Sequence, residues 1–150
     1  MATLLYQDKP RYGLWFKILI WGILAVILMM AITTFDSSRE DAFILIGTVV
    51  FIILVFWAVM PRKYCIYEDR LKIVMGAPFS ISVRFDAIEY AGESRGKLTV
   101  GINFVTSFGN TVEIVKKKGM NVNISPGDRK AFLKNLNNAL DKWRGENSEA

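Results

Sequence analysis

The chain has no histidine and one cysteine, Cys65. Without histidine it cannot build a Ser-His-Asp triad or a His-containing zinc site. A lone cysteine cannot close an intrachain disulfide, so thiol usage reveals no compartment. Set within an apolar strand, Cys65 reads as a buried structural thiol rather than a reactive one. A glycine-rich phosphate loop is missing too, because Gly92-Glu93-Ser94-Arg95-Gly96 matches neither the P-loop nor the Rossmann spacing. The carboxylates Asp86, Glu89 and Glu93 lie near that segment, but no nucleophile or metal-ligand set accompanies them. These absences predict a non-enzyme with no cofactor, no metal and no small-molecule substrate.

What the chain does have is apolar length. Residues 14–34 and 42–60 form two hydrophobic blocks, each about the 20 residues a helix needs to cross a ~30 Å hydrocarbon core. No ionisable group lies in the middle of either block, which argues against a transport path made by this chain alone. Gly22, Ala25 and Gly47 offer places for close helix contact, although no G-x-x-x-G occurs. Pro61 ends the second block, since proline cannot continue the helical ladder. The expected organisation is an N-terminal segment (1–13), a first span (14–34), a short loop (35–41), a second span (42–60) and a folded domain (61–150). A cleaved signal peptide is the competing reading of the first block. Against it, Ala31-Ile32-Thr33 is a poor cleavage site, and the run exceeds the usual h-region of about 7–15 residues.

Charge sets the orientation. Lys9, Arg11 and Lys17 precede or begin the first span, Arg62 and Lys63 follow the second, and the connector holds Asp36, Glu40 and Asp41 against Arg39. Cytoplasmic flanks favour Lys and Arg, so the expectation is a multi-pass protein of the cell (inner) membrane, with its N-terminus and C-terminal domain cytoplasmic. Trp15 and Trp57 lie near the two cytoplasmic ends as interface anchors, and Lys17 can snorkel to the headgroups. Residues 1–60 carry four basic and four acidic side chains, so the whole net charge of +5 sits in the domain. A basic domain at a bilayer attracts anionic lipid. Nucleic acid is not expected, as no basic-aromatic motif is present.

Beyond Pro61 the pattern turns to period two. Tyr64 and Ile66, then Leu71, Ile73 and Met75, then Phe79, Ile81, Val83 and Phe85 mark three strands, separated by Glu68-Asp69-Arg70 and Gly76-Ala77-Pro78. Residues 86–93 read as a short helix or a bend, and 92–96 as a loop. Three more strands follow, on Leu98, Val100, Ile102 and Phe104; on Val112 and Ile114; and on Met120, Val122 and Ile124. Short strands with regular turn signals predict an antiparallel meander. Ser125-Pro126-Gly127-Asp128 then starts a helix, with Ser125 as cap, and Phe132, Leu133, Leu136, Leu140 and Trp143 form its apolar stripe up to Gly145. That stripe is expected to pack on the sheet; a free interfacial helix is the alternative.

The segments Tyr67-Glu68-Asp69-Arg70-Leu71-Lys72-Ile73 and Ile124-Ser125-Pro126-Gly127-Asp128, with Phe132, Leu133 and Leu136 beyond, make residues 61–144 resemble the prokaryotic membrane-anchored pleckstrin-homology-like (PH-like) domains. A preceding two-span hairpin is also similar to that group. The resemblance implies an α+β domain, a PH-like antiparallel barrel or sandwich capped by a C-terminal helix. It also implies a scaffold or adaptor that binds proteins or lipids.

Five cations are the candidate contacts for lipid or a partner: Arg62 and Lys63 beside the second span, and Lys116, Lys117 and Lys118 at an expected hairpin tip. For the three lysines the plainer alternative is a solvated turn that blunts a strand edge. Three functions stay open. One is an interaction module assembling with a protein partner or a second copy of itself. Another is an accessory subunit of a larger membrane complex. The third is an anionic-lipid sensor.

Overall fold

A computed structural model describes residues 3–76, 78–94, 101–107 and 110–148. It contains two long apolar helices, two four-stranded sheets and a C-terminal helix, an α+β architecture. In chain order the elements are β1 (Leu4–Asp8), α1 (Leu14–Thr34), α2 (Arg39–Val59), β2 (Lys63–Tyr67), β3 (Arg70–Val74), β4 (Ser80–Arg84), a 3-10 turn (Phe85–Ala87), β5 (Ile88–Glu93), β6 (Gly101–Phe104), β7 (Val112–Lys116), β8 (Asn121–Ile124) and α3 (Arg129–Ser148).

Helices α1 and α2 are each 21 residues long, about 32 Å at 1.5 Å per residue, and both are apolar enough to cross a membrane. They pack against each other. Ala31 and Ala42, both near the connector, are the residues of this pair that are buried. Gly22 and Gly47 make no close contact, since a Cβ at either would meet nothing within 4 Å. Helix α2 starts before the apolar block does. Ser38 caps it, with Oγ accepting from the Asp41 amide at 3.4 Å, and Glu40 and Asp41 sit in the first turn, where carboxylates oppose the helix dipole. Hydropathy alone cannot see a charged first turn.

The N-terminal segment is not an isolated tail. Its residues Leu4–Asp8 form β1, which pairs antiparallel with β2, so the domain draws on chain from both sides of the helix pair. The first sheet runs β1-β2-β3-β4, antiparallel throughout. The ambiguous stretch after Arg84 resolves into the 3-10 turn and then β5. The expected strand at 98–104 is described from Gly101 onward; Leu98 and Val100 lie outside the described residues, as do Arg95, Gly96 and Lys97.

The second sheet corrects the meander. Its order is β5-β7-β8-β6, with β6 parallel to β8 on the outside. Strand β5 pairs directly with β7, from Ile88↔Lys116 to Glu93↔Val112, which leaves no room for β6 between them. The long connections on either side of β6 let it cross to the far edge, as parallel pairing requires. There Asn123 Nδ2 donates to Asn103 Oδ1 at 2.7 Å across the parallel pair. No strand of one sheet pairs with the other among the described residues, so they form two sheets rather than a closed barrel.

The core lies between the sheets and α3. Tyr64, Ile66, Leu71, Ile73, Val83 and Phe85 from the first sheet region meet Ile88, Val112, Ile114, Val122 and Ile124 from the second. Helix α3 packs on β1, β2 and β5 and buries Phe132, Leu136, Ala139 and Leu140, so its apolar stripe belongs to the core and not to a free interfacial helix. Phe132 meets Tyr6 and Tyr64 edge-on, with ring centroids 6.4 and 6.1 Å apart.

Three local expectations change. The cap of α3 is Asp128, whose Oδ1 accepts from the Ala131 amide at 3.0 Å. Ser125 is buried and bonds instead to the Ser107 backbone, because Pro126 bridges to Pro10 and ties that segment to the N-terminal chain. Gly145 does not end α3, which continues to Ser148. Phe79 and Met120 leave their expected inward stripes, and both are exposed in turns.

Candidate functional site

The junction between helix pair and domain is the most specifically built surface of the molecule. The chain enters α1 from β1 and returns from α2 into β2, and Asp8 and Tyr64 at the two junction ends are cross-strand partners. At α1, Gly13 N donates to Thr106 O at 2.7 Å, Thr106 Oγ1 to Arg11 O at 2.7 Å, and Arg11 N to Ser125 O at 2.9 Å. At α2, Gly76 N donates to Ala58 O at 3.2 Å and Arg62 N to Val74 O at 2.7 Å. The Tyr12 hydroxyl donates to the Pro61 carbonyl and joins the two linkers. Glycine is required at Gly76, where a Cβ would lie 2.8 Å from Ala58 Cα, against α2 backbone.

Aromatic and basic side chains ring this junction. Trp15 is 78% exposed, Trp57 51% and Phe79 53%. The Arg62 guanidinium stands over the Trp57 ring, 4.5 Å from its centroid, a contact worth about 0.5–1 kcal/mol when exposed. Lys17, in the first turn of α1, and Lys63, at the start of β2, are exposed at the same end. Phe79 was not legible as a junction residue. It closes a tight turn, with Met75 N donating to its carbonyl at 3.1 Å and its own amide donating to Gly76 O at 2.9 Å. The signal for that turn was Gly76 and Pro78, which displace the strand start to Ser80. Between α1 and α2, on the domain side, an apolar groove of about 450 Å³ is lined by Ile20, Trp21, Leu24, Ile53, Phe56 and Trp57, with Tyr12, Met60 and Arg62 also lining it. Burial raises the Tyr12 hydroxyl above its ordinary pKa, and nearby Arg62 pulls it back.

Lys116, Lys117 and Lys118 do form a hairpin tip, with Gly119 at φ +88° turning the chain. The register puts that tip away from the junction. Val112 begins β7 beside Thr111, whose Oγ1 donates to Ser107 O at 3.2 Å, next to the Thr106 contact with α1. Lys116 ends β7, and Lys117 N donates to Ala87 O at 2.9 Å, just past the Phe85 amide that donates to Asp69 O at 3.0 Å in the β2–β3 turn. Five strand residues rise roughly 13–16 Å. The structure therefore brings Arg62, Lys63, Lys17, Trp15 and Trp57 to one end and leaves the three lysines at the other.

Several other ionisable groups are occupied or shielded. Asp86 pairs with Arg84 at 2.9 Å and Glu93 with Arg129 at 3.2 Å, so the carboxylates near β5 do not converge. Arg144 donates to the backbone carbonyls of Ile88 and Glu89. Hydrogen bonds from Arg70 hold Asp69 below the usual carboxylate range. Cys65 is buried, and burial pushes its thiol up, which makes it a poor nucleophile. Among the described residues no group of three or more His, Cys, Asp or Glu could hold a metal. No family model matches the chain, and no curated protein or solved structure matches it either.

Proposed function

We propose that this chain is a non-enzymatic, membrane-anchored interaction module that presents its α+β domain at the cytoplasmic membrane face for protein assembly. One observation carries the reading: the helix pair is inserted between β1 and β2, neighbouring strands of one sheet. The domain cannot swing freely on a linker. Its junction end is held by backbone bonds to both helices. Apolar side chains are exposed along both helices, and a bilayer is the solvent that suits them. Retention of α1 follows the same logic, since cleavage near Ala31 would remove β1 from its sheet. Basic residues at the junction and acidic ones in the connector support a cytoplasmic domain.

The kinship with PH-like domains stays part of this proposal. Seven strands after the helix pair and a terminal helix on the core speak for it; the added β1 and the parallel outer β6 depart from it. Strand β4 is an edge of the first sheet and offers backbone groups to a partner strand. The lysine tip, held away from the junction by more than a Debye length of about 8 Å, suits an acidic protein better than the chain's own bilayer.

The test is purification of the tagged full-length protein from native membranes in mild detergent, with measurement of intact-complex mass. A stoichiometric complex or a homo-oligomer is the expected result. A fixed complex with integral membrane subunits would favour the accessory-subunit reading. A lone monomer, with the domain binding no protein, would refute the assembly role. Orientation is tested separately by Ser37→Cys and Asn137→Cys, of which only the connector cysteine should react with an impermeant reagent outside the cell.

A further inference from the structure

We infer that the groove between α1 and α2 at the junction is a binding site for one anionic glycerophospholipid, with an acyl chain against the helices and the phosphate at Arg62. The inference rests on the membrane reading above. Side chains from both helices line the groove: Ile20, Trp21 and Leu24 from α1, and Ile53, Phe56 and Trp57 from α2. Its volume of about 450 Å³ fits a hydrocarbon chain better than a few waters, and its walls offer no carboxylate. The groove is on the domain side of the helix pair, where headgroups would lie.

The polar end is positively charged. Arg62 is part of the lining, stacks on Trp57 and has no carboxylate partner among the described residues. Stacking fixes the guanidinium plane while leaving its N–H groups free, the arrangement suited to bidentate phosphate binding. Lys17 precedes Ile20 and Trp21 by three and four positions, so it lies on the same helix face one turn nearer the domain. A helical side chain leans towards the N-terminus, which directs Lys17 to the headgroup level. Two cations and no acid at the mouth of an apolar groove complement a phosphodiester with a net negative charge. A zwitterionic headgroup would bring its own ammonium against them. At the connector end the pocket beside Ala31 is smaller, about 290 Å³, and has the carboxylate of Asp36 in its wall where the groove has Arg62.

The test uses the full-length protein in phosphatidylcholine bilayers containing either brominated phosphatidylglycerol or brominated phosphatidylcholine at equal mole fraction. Bromine quenches tryptophan on contact. Two single-tryptophan forms are compared, one keeping Trp57 in the groove under Arg62 and one keeping Trp15, which lines a separate apolar hollow that has no cation in its wall. Trp57 should be quenched at least about threefold more by the anionic lipid than by the zwitterionic one, with Trp15 showing no such preference. Arg62→Gln should abolish the preference with the circular dichroism unchanged. Ile53→Phe, which narrows the groove without altering charge, should reduce quenching of Trp57 by both lipids. Equal quenching of Trp57 by the two lipids, or a preference that survives Arg62→Gln, overturns the site while leaving the membrane reading intact. A chain that fails to float with the vesicles overturns both.

Discussion

Replacing Gly76 by alanine tests the docking of the domain on its helices at a single atom. The added Cβ would meet Ala58 Cα at 2.8 Å and Trp57 C at 3.0 Å, and those atoms belong to the last turn of α2. Backbone in a helix cannot give way as a flexible side chain does. The β3–β4 turn must therefore move outward. That movement breaks the Gly76 N–H bond to Ala58 O, worth about 0.5–1.5 kcal/mol net, and adds an overpacking cost of roughly 1–3 kcal/mol. The expected loss is about 2–4 kcal/mol. For a domain of this size each kcal/mol shifts Tm by about 4–8 °C, so a fall of roughly 10 °C or more is expected in mild detergent. Near-ultraviolet circular dichroism follows the unfolding, because Trp143 packs edge-on to Phe85 in the core with centroids 6.4 Å apart. Gly22→Ala is the control, since a Cβ there meets nothing within 4 Å. If Gly76→Ala melts within about 2 °C of that control, the close approach of turn and helix is not what holds the domain to α2.

Other expectations follow from the same geometry. Tyr64 is fully buried, and among the described residues its hydroxyl has the Ser125 backbone nearby but no well-formed hydrogen bond, so Tyr64→Phe should raise stability by about 1 kcal/mol, read as a higher urea midpoint at pH 7. Burial pushes the Tyr64 pKa far above its ordinary 10.0. The folded state therefore keeps a proton that the unfolded chain releases, and above pH ~10 stability should fall by up to about 1.4 kcal/mol per pH unit, with a shallower slope in Tyr64→Phe. Removing residues 1–9 should expose the β2 edge and make the purified protein aggregate, visible as void-volume material in size exclusion; a well-behaved monomer would mean β1 is dispensable. Cys65 should react with maleimide far more slowly in the native protein than in urea, and a native rate matching the unfolded one would contradict its burial.

The sequence announced those elements whose pattern is carried by side-chain type. The bounds of α1 were legible to the residue, since a long apolar run whose one charge, Lys17, lies in its first turn is its own signal. Strands β3 and β7 were legible because one face is buried and period two records it, whereas β2 buries Tyr64, Cys65 and Ile66 in succession and was legible from its apolar content after Pro61. Strand β1 was hidden. Leu4-Leu5-Tyr6-Gln7-Asp8 has no alternation, and its partner β2 lies beyond both helices, a pairing no local window can detect. The position of β6 was hidden for a related reason, since Ile102 and Phe104 fit a middle strand as well as an outer one. Of the candidate site, Arg62, Lys63, Lys17, Trp15 and Trp57 were legible as boundary residues. What could not be read was that Arg62 stacks on Trp57, or that the three-lysine tip points to the opposite end, because both depend on register.

The insertion of a helix pair between neighbouring strands has a mechanical consequence. Paired strands lie about 4.8 Å apart, whereas packed helices need about 8–10 Å between axes. The linkers 9–13 and 60–62 must absorb that difference, and they are stiffened by Pro10, Pro61 and the Tyr12 hydroxyl on the Pro61 carbonyl. The larger groove lies at the domain end, while Ala31 and Ala42 are buried near the connector. A partner or lipid that pries the helices further apart at the groove must work against the β1–β2 ladder and the backbone bonds of Gly13 and Gly76. Strain of that kind passes directly into the core, because Tyr64 on β2 and Tyr6 on β1 both rest on Phe132 of α3. Occupancy of the groove and stability of the domain are therefore linked quantities, and each should change when the other is perturbed.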